Sequence, residues 1–187
     1  MRYRTRAYPY LNLFYYFCQE YTRKITMKRI INPYEGMGRE EGYHCFACAP
    51  RNKHGLHMEF YEDGDEVVCF WTPKEHHQEW TDTLHGGIQA TLIDETAGWV
   101  IARKLQTSGM TTNLNIKYKR PIPTTEGTKV EIRAHIREMK RSFALMEASI
   151  QCNGELCTTA ELTFFCFSQE KAKEKFNFLP YKLEDEV

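Results

Sequence analysis

The sequence predicts an α+β domain, an antiparallel sheet curled around one long helix. Two observations predict it. Runs in which apolar residues alternate with period two flank a single segment of helical spacing, and two hairpin signals join consecutive strand runs. With 187 residues, 42% of them hydrophobic, the chain has enough apolar material for one packed core.

The elements follow in order. In "GLHMEFY", Leu56, Met58 and Phe60 alternate with His57, Glu59 and Tyr61, which reads as a strand. Asp63-Gly64 then turns the chain into "EVVCFWT". The segment "GGIQATLIDETAGWVIARKLQ" breaks the alternation. Its Ile88, Leu92, Ile93, Ala97, Val100, Ile101 and Leu105 recur at threes and fours, the signature of a helix of about five turns with a wide apolar face. "TTNLNIKYKR" resumes the alternation, with Leu114, Ile116 and Tyr118 on one side. Val130, Ile132, Ala134 and Ile136 form the dry face of the next strand. "SFALMEASI" and "ELCTTAELTFFCF" complete the sheet, joined by Asn153-Gly154.

The ends read differently. Residues 1–26 carry Arg2, Arg4, Arg6, Arg23 and Lys24 against Glu20 alone, and "YLNLFYYFC" lacks the clean apolar centre and small-residue cleavage site of a secretory leader. The expected organisation is an N-terminal extension over 1–42, outside the core fold or peripheral to it, one domain over 43–168, and a charged tail over 169–187. In that tail a short helix stops before Pro180 and the acidic terminus frays.

Composition excludes several classes. Lys+Arg and Asp+Glu balance at 25 each, which argues against a nucleic-acid binder. No run approaches the ~20 apolar residues of a membrane-spanning helix, so no membrane partner is expected. Seven cysteines, an odd number at irregular spacing, make a poor disulfide framework and point to a reducing, cytoplasmic setting. Cys45 and Cys48 have the spacing of half a zinc site, with His44, His54 and His57 nearby. No second C-x-x-C follows, so packed thiols are the expectation, with no metal and no cofactor.

Chemistry concentrates in "TLHGGIQATLIDET". Glycines at a helix start let a ligand approach the backbone, and the first-turn amides lie unpaired at the positive end of the helix dipole. Such a site suits an oxyanion or a polarised carbonyl. His85 precedes Gly86 and Gly87, and Asp94 lies further along, a candidate base or nucleophile. Gly86 and Asp94 are eight residues apart, about 12 Å along a helix. Reacting groups must meet within about 3–3.5 Å. If both act on one carbonyl, Asp94 must come from a second copy of the chain.

Over residues 43–167 the sequence resembles the hotdog-fold thioesterases of the PaaI-like, HGG-motif kind. "CFACAPRNKHGLHMEF" resembles the leading strand of one branch, "EHHQEWTDTLHGGIQATLIDETAGW" the helix-start motif, and "TTNLNIKYKRPIP" the strand after the helix. The resemblance implies a hotdog fold, hydrolysis of an acyl-CoA or related acyl-carrier thioester, and a homodimer or tetramer. It implies that the Gly86 amide polarises the carbonyl, that His85 shapes the turn, and that Asp94 is the catalytic carboxylate. Gly87, Gln78, Thr111 and Arg120 are the implied substrate-binding residues, Arg120 with Lys119 as a candidate for CoA phosphates. The chain departs from the pattern at Glu79, where relatives carry Gly or Asn, and at Ala49, where Gly is common. The alternative function is a non-catalytic acyl-CoA-binding sensor or scaffold. Glu95 lies ~100° around the helix from Asp94 and is expected to face elsewhere.

Overall fold

The computed structural model describes residues 27–38 and 40–187. The basic segment 1–26, expected to be an extension, lies outside the described residues. Eight strands form one antiparallel sheet: β1 (Lys28–Ile31), β2 (Phe60–Asp63), β3 (Glu66–Trp71), β4 (Gly109–Tyr118), β5 (Val130–Lys140), β6 (Phe143–Cys152), β7 (Glu155–Cys166) and β8 (Lys182–Leu183). Their order across the sheet is β4-β7-β6-β5-β3-β2-β1-β8. Helix α1 (Gly86–Val100) packs on the sheet and continues as one π-helical stretch, Ile101–Leu105, to Gln106 at φ 50°. Sheet and central helix together are the hotdog fold.

The hairpin signals fold as read. β2 returns as β3 with Asp63 opposite Glu66. Asn153 and Gly154 take φ of 50° and 84°, the left-handed pair that matches the twist of a two-residue hairpin, and join β6 to β7. The helical spacing also holds. Leu92, Ile93, Ala97, Val100 and Ile101 are fully buried, and each large side chain among them contributes about 1.5–3 kcal/mol of burial. The Phe60 and Trp99 rings stack at 4.1 Å between centroids. One polar tie crosses this apolar contact: the Thr158 hydroxyl on β7 donates to Gln89 Oε1 on α1 at 2.6 Å, while Gln89 Nε2 donates to the Leu84 carbonyl.

Two segments differ from the sequence reading. Leu56, Met58 and Phe60 are buried and His57 and Glu59 exposed, as alternation requires, yet the strand begins only at Phe60. His57 at φ 53° breaks the extended path, and Leu56 and Met58 donate to the carbonyls of Phe46 and Ala47 in the cysteine loop. The charged tail, expected to fray, is fastened. Its helix α2 (Gln169–Phe176) ends at Asn177 in the left-handed region, three residues before Pro180. Leu183 of β8 then pairs with Ile30 of β1, and both side chains are buried. Arg103 near the end of the central helix holds Glu62 and Glu186, and Lys28 meets Asp185 at 2.6 Å. The reason is apolar: Phe178 and Leu183, scattered among charges, supply the burial.

The Gln89–Thr158 tie generates a prediction. Thr158→Val keeps the shape but leaves Gln89 Oε1 buried without its donor, so it is expected to lower unfolding stability by about 1–3 kcal/mol. Urea unfolding of both proteins measures the difference, and an unchanged midpoint refutes it.

Candidate active site

The start of α1 is built by its neighbours in the chain. Leu84 is buried and donates to the Ile122 carbonyl, and His85 N–H donates to the His77 carbonyl at 2.9 Å. His85 caps the helix: its Nδ1 accepts from the Gly87 amide at 2.8 Å, and its carbonyl accepts from the Ile88 and Gln89 amides. The cap explains Gly87, because a Cβ there would lie 3.0 Å from that same Nδ1. Gly86 has a different status. A Cβ on it would make only ordinary contact, 3.4 Å, with the Tyr118 ring. Its amide has no partner among the described residues. A side chain at 87 would therefore crowd the His85 cap, while the amide of 86 is left open to a ligand.

Tyr118 was missed in the sequence reading as a site residue. Its hydroxyl donates to the Gly86 carbonyl at 3.0 Å, which fixes the first helical peptide against β4. Burial first, and the Glu79 charge second, push its phenol pKa up, so Tyr118 remains a donor. Its place on the face of Leu114 and Ile116 was the available signal.

Asp94 sits two turns further on, half-buried, and its Oδ1 accepts from the Thr111 hydroxyl at 2.6 Å. The structure thus brings Asp94 and Thr111 together. A β-bulge makes this contact. Thr111 pairs with Phe164 and Asn113 with Thr163, so Thr112 is the extra residue. Without the bulge, the face that carries Leu114, Ile116 and Tyr118 would present Thr112 to the helix.

The remaining expected residues are engaged otherwise. Gln78 Oε1 accepts from the Asp82 amide at 3.2 Å, which uses the side chain to close its own loop. The Arg120 guanidinium is paired with Glu155, and both side chains are more than half exposed. Glu79 donates its amide to the Thr83 carbonyl, and its charge reaches Tyr118. Gly86 and Asp94, on one straight α-helix, remain about 12 Å apart.

His77, also missed in the sequence reading, supports the helix start from below. It is buried beside Trp71, its Nδ1 accepts from the Lys74 amide, and burial holds its pKa down to about 4. Its unfolded value is about 6.5, so between those values the unfolded chain binds the extra proton and stability is lost as pH falls. The melting temperature is expected to fall from pH 6.5 to 4, and to fall less in His77→Gln. Equal slopes would show that His77 does not carry the effect.

A thioesterase superfamily model matches residues 81–159, which run from the loop before α1 into β7. Acyl-coenzyme A thioesterase THEM4 of Rattus norvegicus is 31% identical over 115 residues, 60% of this chain and 48% of its own length. Acyl-coenzyme A thioesterase 13 of Mus musculus is 27% identical over 95 residues, 49% of this chain and 66% of its own. The chain thus spans between about half and two thirds of the length of these curated relatives. Among solved structures, zebra fish thioesterase superfamily member 2 superposes with a TM-score of 0.52 at 26% identity, covering 58% of this chain and 80% of that one. Residues 81–159 thus match the thioesterase superfamily, and the fold is the hotdog fold of the thioesterase structures it superposes on.

Proposed function

We propose that this protein hydrolyses acyl-CoA or related acyl-carrier thioesters at sites shared between two copies of the chain. One observation carries the reading: α1 and β4 run side by side in opposite directions, with Gly86 held to Tyr118 at one end and Asp94 to Thr111 at the other. β4 is the last strand of the sheet, and the side away from β7 has no strand partner among the described residues. Ten residues of unpaired edge are a ready template for a second chain. A two-fold axis through the middle of β4, near Leu114 and Asn115, would pair two such edges antiparallel. It would also set each Gly86–Tyr118 end beside the Asp94–Thr111 end of the other copy. The 12 Å gap within one helix is then closed by the partner.

The chemistry follows from the groups present. The thioester carbonyl oxygen accepts from the Gly86 amide at the positive end of α1. A water gives its proton to Asp94 of the partner subunit as its oxygen bonds to the carbonyl carbon. The carbonyl electron pair moves onto the oxygen held by Gly86. Collapse of this intermediate breaks the C–S bond, and the departing thiolate takes the proton from the carboxyl. Direct attack by Asp94 of the partner subunit, followed by hydrolysis of the mixed anhydride, uses the same residues. Thr111 holds the carboxylate in line, and the His85 cap leaves Gly86 as the amide available to the substrate. Two relatives named acyl-coenzyme A thioesterases support the carrier class. Gln78 and Arg120 become substrate contacts only if substrate displaces Asp82 and Glu155 from them. The binding-only alternative is less favoured, because it gives the Asp94–Thr111 pair no task.

Asp94→Asn keeps size and can still accept from Thr111 but loses the base, so kcat for the best thioester is expected to fall about 10²-fold or more in a folded protein. A thiol-release assay measures it, and a near-native rate refutes the assignment. The shared site is tested by mixing Asp94→Asn with Gly86→Pro. Proline suits the first helical position, and His85 at φ −59°, ψ 134° already has the extended backbone a following proline requires. Random exchange makes half the dimers mixed, each with one intact site, so activity should return to about a quarter of wild type. Exchange confirmed by mass without recovered activity would refute it.

A further inference from the structure

The loop that carries Cys45 and Cys48 lies on the face of α1 turned away from Asp94. There the structure supplies what the sequence lacked, a third donor. Cys45 Sγ, Cys48 Sγ and a carboxylate oxygen of Glu95 all lie within 4.8 Å of one another. Cys45 Sγ is 3.7 Å from Glu95 Oε1. A tetrahedral zinc with Zn–S of about 2.3 Å and Zn–O of about 2.0–2.2 Å holds such donors roughly 3.5–3.8 Å apart. The cluster is thus close to coordinating geometry without any rearrangement of backbone.

We propose that Cys45, Cys48 and Glu95 bind a thiolate-preferring divalent cation, zinc above all, which pins the cysteine loop to the central helix, with water as its fourth ligand. The hydrogen bonds around the cluster support this. The Cys48 amide donates to Cys45 Sγ at 3.4 Å, a backbone contact that favours the sulfur as an acceptor. The Asn32 amide is fixed in orientation because its Oδ1 accepts from the Tyr34 amide, so its Nδ2 donates to the Tyr43 oxygen at 2.7 Å. The Tyr43 proton is then free for Cys48 Sγ, 3.0 Å away. The Trp99 indole N–H donates to Glu95 Oε1 at 3.0 Å. Each of the three donor groups therefore accepts a hydrogen bond from a surrounding N–H or O–H, the outer support typical of metal ligands. Among the described residues no Lys, Arg or His is ion-paired with Glu95. Soft thiolates with one carboxylate select zinc over magnesium or calcium.

The site does not rest on the catalytic reading. Glu95 faces the cysteine loop while Asp94 faces β4, so metal binding and thioester hydrolysis can fail separately. The reduced full-length protein, stripped with a chelator and desalted under argon, is titrated with Co²⁺ and then Zn²⁺. The expected result is one equivalent of cobalt with a thiolate-to-cobalt charge-transfer band in the near ultraviolet, bleached by one equivalent of zinc, and a melting temperature raised by the metal. Cys45→Ser and Cys48→Ser should weaken the band and the affinity. Glu95→Gln should retain the band but bind cobalt at least about tenfold more weakly. Asp94→Asn should titrate as wild type. Absence of the charge-transfer band in folded, fully reduced wild-type protein would overturn the proposal, as would a Cys45–Cys48 disulfide as the only stable state after purification with zinc. Unaltered affinity in Glu95→Gln would remove Glu95 from the site and overturn it in this form. The wild-type titration decides the outcome even if a variant fails to fold.

Discussion

An α-helix rises about 1.5 Å per residue, and that rise governs the candidate site. It fixes the free amide of Gly86 and the carboxylate of Asp94 about two turns apart, too far to act on one carbonyl. No side-chain motion of a short aspartate closes such a gap. The sheet makes the separation useful. β4 is antiparallel to α1, touches it at both ends through Tyr118 and Thr111, and lies at the sheet edge. A helix too long for a one-chain site thus lies beside the edge along which a second chain could supply the missing half.

Much of this was legible in the sequence, for physical reasons that can be named. The helix was legible because its apolar buried positions, Leu92, Ile93, Ala97, Val100 and Ile101, recur at the spacing of one helical face. The hairpin at Asn153-Gly154 was legible because few other pairs take two left-handed conformations cheaply. The 12 Å argument needed only the residue count.

Other features depended on contacts between distant segments. Alternation located the buried face of Leu56, Met58 and Phe60 but not their hydrogen-bond partners, which come from the cysteine loop instead of a neighbouring strand. The bulge at Thr112 changes which threonine faces the helix, and a one-residue slip in register leaves no mark in composition. The tail read as a fraying end because its charges outnumber its apolar residues. Leu183 and Phe178 are nevertheless buried, since the helix end and β1 offer them apolar surface and Arg103 neutralises Glu186. Glu95 was expected only to face away from Asp94. What it faces lies fifty residues back, at Cys45.

Asp94 and Glu95 show how one buried helix can serve two layers of the fold. Consecutive helical residues diverge by about 100°, so adjacent carboxylates on α1 address different neighbours. Asp94 turns toward the open sheet edge and is held by a hydroxyl from β4. Glu95 turns toward the loop that closes the other side and is held by the indole of Trp99, whose ring is clamped between Phe60 and Tyr181. The clamp matters to both. Any rotation of α1 that relaxed Glu95 against the cysteine loop would swing Asp94 away from Thr111, because a rigid helix turns both side chains together. One helix thus presents two neighbouring carboxylates to separate surroundings, Glu95 to the indole and thiol of the cysteine side and Asp94 to the hydroxyl of the sheet edge.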